Sequence, residues 1–117
     1  MDPRDNIREG LRVPLHNVSG QFADKGEVFP CEVVDISFSG VGLKVNNILP
    51  EGETIDIRFS LEGYGKVYCK AKVVSARGGR IGVNFINIPE KSKKHIQKFI
   101  ENFTNENINQ IIKNKPK

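Results

Sequence analysis

Thr54-Ile55-Asp56-Ile57-Arg58-Phe59-Ser60-Leu61-Glu62, then Gly63-Tyr64-Gly65, then Lys66-Val67-Tyr68-Cys69-Lys70-Ala71-Lys72-Val73 is the stretch that decides the fold. Ile55, Ile57, Phe59 and Leu61 alternate with polar residues, and Val67, Cys69, Ala71 and Val73 do the same beyond the turn. A period of two gives each strand one face for a core and one for water. Arg77-Gly78-Gly79-Arg80 makes a tight connection, after which Ile81, Val83 and Phe85 alternate with Gly82 and Asn84.

Toward the N-terminus the same punctuation continues. Val41–Val45 reads as extended, as does Val28–Val34, and Asp35–Gly40 carries turn chemistry between them. Arg12–Val18 reads as a first strand, with Pro14 tolerated at an edge. Ser19-Gly20 reads as a break, and Ala23–Glu27 and Leu49–Gly52 as turns. About six strands at roughly 8–12-residue spacing favour an antiparallel barrel or sandwich over βαβ units. Closing the sheet also removes its edges.

After Pro89 the period changes. Ile96, Phe99, Ile100 and Phe103 fall on one helical stripe, with Lys and Glu opposite, and Pro89-Glu90 suits a helix start. The Asn-rich run from Asn102 to Asn109 weakens helix propensity. The expected organisation is a flexible charged arm over residues 1–10, a mainly β domain of a six-stranded antiparallel barrel plus a C-terminal helix over 11–103, and a polar tail over 104–117 with room for a short helix.

The 117 residues suffice for one ordinary domain. No run approaches the apolar length of a transmembrane helix, and Met1–Asp5 is polar with no apolar stretch behind it, so neither membrane insertion nor a secretory signal is expected. Cys31 and Cys69 lack CxxC spacing and lie in apolar runs, where a free thiol behaves as a small hydrophobe. A reducing, cytoplasmic setting follows, with no metal or cofactor. The net charge of +4 is concentrated in C-terminal lysines, which is usually a solvated face and does not identify an anionic partner.

Two motifs carry chemistry. Arg8-Glu9-Gly10-Leu11-Arg12 spaces two guanidinium groups four residues apart, and Asp35-Ile36-Ser37-Phe38-Ser39-Gly40 presents a carboxylate, a hydroxyl and a glycine at fixed offsets. Guanidinium forks match phosphates and the O6/N7 edge of guanine. A carboxylate can accept from guanine N1–H and N2–H, and glycine lets backbone approach a ligand. Together they suit a guanine nucleotide with phosphates. The plainer alternatives are surface pairs of Arg4, Arg8 and Arg12 with Asp2, Asp5 and Glu9, each contributing about 0–1 kcal/mol, and an Asx-turn at Asp35. For Ser39 the turn role is preferred.

In this order, followed by Val13-Pro14, Gly42-Leu43 and Ile81-Gly82-Val83-Asn84-Phe85, the residues resemble a PilZ domain over roughly positions 8 to 103. The resemblance implies a freestanding barrel-plus-helix protein that binds cyclic di-GMP and has no attached output domain. It also implies that Arg8 and Arg12 hold phosphates and guanine Hoogsteen edges, that Asp35 and Ser37 bind a guanine, and that Gly40 leaves space for the ring. Arg4, Gly42 and Asn84 are accessory candidates. The processes it implies are motility, exopolysaccharide synthesis and biofilm control, through an unidentified downstream protein.

Two other classes compete. One is a PilZ-like interaction domain without nucleotide binding, against which the chain keeps both motifs. The other is a small basic barrel binding single-stranded nucleic acid, for which only Tyr64 and Tyr68 near Lys66, Lys70 and Lys72 speak. No nucleic acid is therefore expected as partner. An enzyme is disfavoured, because the sequence holds no HExxH, P-loop or paired-carboxylate signature.

Overall fold

The computed structural model describes residues 11–113, with side chains to Glu106. The expected arm over residues 1–10, with Arg4 and Arg8, lies outside the described residues, as do the last four positions. Six strands form a closed antiparallel barrel: β1 (Val13–Asp24), β2 (Glu27–Ile36), β3 (Gly40–Lys44), β4 (Thr54–Leu61), β5 (Gly65–Arg77) and β6 (Arg80–Asn87), in the order β1-β2-β3-β6-β5-β4. The inward positions are those read from periodicity. Ile55, Ile57, Phe59, Leu61, Val67, Cys69, Ala71, Val73, Ile81 and Val83 are all buried.

Ser19-Gly20 does not break the chain; β1 runs straight through it, pairing with β2 on one side and β4 on the other. A side chain at Gly20 would press on Phe59 Cβ at 3.2 Å and Val33 Cγ2 at 3.3 Å, so glycine here serves close packing between neighbours. The irregular part of β1 is earlier. Its register with β2 shifts between Pro14 and Val18, and Asn17 takes φ 59° there. Lys25-Gly26 and Gly78-Gly79, all at positive φ, make the two-residue hairpin turns whose twist suits antiparallel strands.

A helix, α1 (Glu90–Lys113), follows β6 and packs on β5 and β4. It takes in 104–113, part of the stretch expected as a polar tail with room for a short helix. An interior Asn costs at most about 0.7 kcal/mol, and extending a helix already anchored by Ile96 and Ile100 is far easier than nucleating one. Both isoleucines are fully buried, each contributing on the order of 1.5–3 kcal/mol.

Beyond the end of β6, α1 takes over the edge of β5. Ser92 Oγ accepts from the Tyr68 amide at 2.9 Å, and a ring nitrogen of His95 pairs with the Lys66 carbonyl at 2.9 Å. Ser92 is only 5% exposed, so removing its hydroxyl strands an amide away from water. Ser92→Ala is expected to lower stability by about 1–3 kcal/mol, read as a drop in the denaturation midpoint without a change in slope.

Cys69 is buried inside the barrel and Cys31 is half-buried; neither is bonded. Burial pushes the Cys69 thiol up to about 12, with a smaller push from Asp56, and burial raises Cys31 to about 11. A folded-state value above the unfolded 9.0 means the native state holds these protons longer. Their contribution to stability is thus complete below pH 9 and falls as pH rises through the window from 9 toward 12. Cys69 is expected to react with a thiol reagent at pH 8 only on unfolding, measured by mass-shift labelling with and without urea.

Candidate glycine-floored nucleotide groove

Val33 and Ile36 both point into the core, although they are three residues apart. The β2–β3 register makes this possible. It shifts between Val33 and Asp35, so one extra residue is accommodated and Asp35 turns to the outer face. There it lies opposite Gly42, and a Cβ at Gly42 would sit 2.7 Å from Asp35 Oδ1. The carboxylate therefore leans over a residue whose lack of a side chain leaves room for it.

The far side repeats this device. The β5–β6 register shifts between Val73 and Ser75, which places Ser75 opposite Gly82. Ser75 Oγ accepts from the Gly82 amide at 3.2 Å, and a Cβ at Gly82 would come within 2.6 Å of that oxygen. Gly42 and Gly82 are themselves partners across β3 and β6. One row across the barrel thus reads Asp35, Gly42, Gly82, Ser75: two polar side chains facing each other over bare backbone. A groove of about 580 Å³ occupies this surface, walled by Asp35, Glu51, Ser75, Arg77, Arg80 and Gly82.

Arg12 stands at the β1 side, its Nη1 donating to Asp35 Oδ1 at 2.7 Å. Both side chains keep solvent contact, at 49% and 27% exposure. Of the expected site residues, Arg12, Asp35 and Gly42 are brought together; Arg8 and Arg4 are outside the described residues.

Ser37 and Gly40 sit elsewhere. Ser37 is only 2% exposed. Its Oγ accepts from the amides of Ser39 and Gly40, at 3.3 and 3.2 Å, while its own amide donates to the Gly40 carbonyl at 2.9 Å. Ser37 thus shares the turn role expected of Ser39, and its hydroxyl also lies 3.2 Å from Ser39 Oγ. The space beside Gly40 is likewise occupied: a Cβ there would overlap the Val83 carbonyl and stand 2.9 Å from its carbon. Close approach of β3 to β6 is thus one reason for glycine at this position. Asn84 faces outward beside Gly40, in a separate groove of about 420 Å³ shared with Phe38, Ser39 and the start of α1.

Ser75, Arg77, Arg80 and Gly82 were not singled out as site residues from sequence. The available signal was Gly82 itself, an outward glycine in a strand whose inward positions are all apolar. Among the described residues, no three His, Cys, Asp or Glu side chains cluster to hold a metal ion, and no helix is long and apolar enough to cross a membrane.

A family model for the PilZ domain matches residues 3–102. The chain belongs to the PilZ domain family. Solved structures agree on the barrel. The PilZ domain of CeSA from a cellulose-synthesizing bacterium aligns at TM-score 0.63 and 17% identity, covering 81% of this chain and 99% of that one. The Bacillus subtilis inhibitor of motility MotI/DgrA aligns at TM-score 0.71 and 12% identity, covering 81% of this chain and 50% of that one. Escherichia coli YcgR in complex with c-di-GMP aligns at TM-score 0.69 and 17% identity, covering 90% and 49%. The PilZ chain therefore spans about half the length of the latter two proteins, and at these identities the likeness is one of fold. No curated protein matched the chain.

Proposed function

We propose that this PilZ domain is a receptor for cyclic di-GMP, bound across the outer face of β2, β3, β6 and β5. The observation that carries the proposal is the Arg12–Asp35 pair standing at the edge of a glycine-floored groove. Two structurally similar PilZ proteins, YcgR and MrkH, have been solved in complex with c-di-GMP, which supports the same ligand here.

The chemistry follows from the residues. In this reading Asp35 accepts from guanine N1–H and N2–H, a pair of donors that adenine lacks. Arg12, joined by Arg8 one RxxxR step upstream, supplies forks for phosphate and the O6/N7 edge. Gly42 lets the base approach the sheet, and Ser37 and Gly40 serve by fixing the turn that follows Asp35. The Arg12–Asp35 pair is exposed, so opening it costs about 0–1 kcal/mol. Each charge-assisted bond to the ligand returns ~1.5–3 kcal/mol, and exchange of partners is favourable. No general base is needed, because the ligand is bound and not turned over. A change at residues 8–12 would then be read by another protein controlling motility, exopolysaccharide or biofilm output.

Isothermal titration tests this. Micromolar or tighter binding of cyclic di-GMP, with cyclic di-AMP much weaker, is the expected result. Equal affinity for the two dinucleotides, or none for either, counts against it.

A further inference from the structure

The hairpin joining β5 and β6 brings a second cationic group to the groove. Arg77 and Arg80 are direct partners across that hairpin, and Lys44 is the partner of Arg80 on the other side. The two-residue turn at Gly78-Gly79 fixes their spacing. Ile81 and Val83 point inward, so Arg80, like Gly82 and Asn84, points outward. Arg77 shares that face, because the shift between Val73 and Ser75 resets the alternation of β5. Among the described residues, neither arginine has an ion-pair partner; the pairs formed are Arg12–Asp35 and Lys25–Glu53. Glu51, on the same groove wall, makes no bond to either guanidinium.

The groove therefore has arginine at both ends. Arg12 stands with Asp35 on the β1–β2 side, and Arg77 and Arg80 stand with Ser75 on the β5–β6 side. From β2 to β5 is three strand spacings of ~4.8 Å, about 14 Å around the barrel. A ligand with one anionic group reaches one end only, whereas one with two separated phosphodiesters can meet both.

We propose that Arg77 and Arg80 form a second phosphate grip, with Ser75 as a neutral donor beside it, which makes the site selective for a dinucleotide with two phosphodiesters. This rests on the receptor assignment above and adds to it residues outside both sequence motifs.

The test compares Arg77→Gln/Arg80→Gln with Lys66→Gln/Lys70→Gln, which removes equal charge from exposed positions farther down β5. Cyclic di-GMP affinity is measured by titration calorimetry, with thermal melts to verify folding. The arginine variant is expected to bind about 10- to 100-fold more weakly, and the lysine variant within about twofold of wild type, the change expected where only screened long-range charge is lost. Arg77→Lys/Arg80→Lys, which keeps charge but not the fork, is expected in between. Wild-type affinity in the arginine variant, or equal weakening in both glutamine variants, overturns the second grip while leaving the receptor assignment intact. If wild type itself shows no binding, both fall.

Discussion

Gly40→Ala is expected to destabilise the barrel by more than about 3 kcal/mol, above the usual 1–3 kcal/mol of overpacking. The added methyl would overlap the Val83 carbonyl, which is backbone in the adjacent strand and has no rotamer to move to. Relief requires β3 to shift from β6 at the point where the Ser37 turn and the Phe85–Ser39 hydrogen bond of 2.8 Å fix it. Domains of this size lose roughly 4–8 °C of Tm per kcal/mol, so the melting temperature is expected to fall by at least about 12 °C, or the protein to fail to fold. Scanning calorimetry decides it. A melt within a few degrees of wild type would mean that the strand separates easily there.

Gly42→Ala makes a useful contrast. Its methyl meets the Asp35 carboxylate at 2.7 Å, and that side chain can swing aside. The fold is expected to survive while the carboxylate is displaced from the groove.

Arg12→Ala is expected to do the opposite of Gly40→Ala: little to stability and much to binding. Its ion pair with Asp35 is solvent-exposed, so the loss of stability is about 0–1 kcal/mol. The loss of a bidentate contact to guanine or phosphate is worth ~1–3 kcal/mol, and Asp35 is left without its orienting partner as well. A fall in cyclic di-GMP affinity of about 10- to 100-fold or more is expected in calorimetry, with a melting curve close to wild type. Unchanged affinity would place the ligand's arginine contacts elsewhere in the chain.

Much of this barrel could be read from its residues, because β4, β5 and β6 alternate cleanly and each buries one face. Where reading failed, the backbone departs from regular alternation. Gly20 resembles a break, yet it lies inside β1 because two neighbouring strands crowd it. The outward turn of Asp35 and Ser75 depends on bulges at Val33/Asp35 and Val73/Ser75, which leave no periodic trace. That is why Asp35 stands out as a candidate site residue through its motif while Ser75 and the paired arginines do not. Ser37 carries a structural duty that its motif alone does not reveal: its hydroxyl is buried and bonded to its own turn. The helix continues through the Asn-rich run because tertiary anchoring outweighs the small penalties of Asn.

The most direct test of a nucleotide lying across paired glycines is an amide NMR titration of the wild-type protein with cyclic di-GMP. Saturable shifts at Asp35, Gly42, Ser75 and Gly82, with Gly26 and Gly52 at distant turns unmoved, are the predicted result. A spectrum in which those four amides stay fixed at millimolar dinucleotide would contradict it.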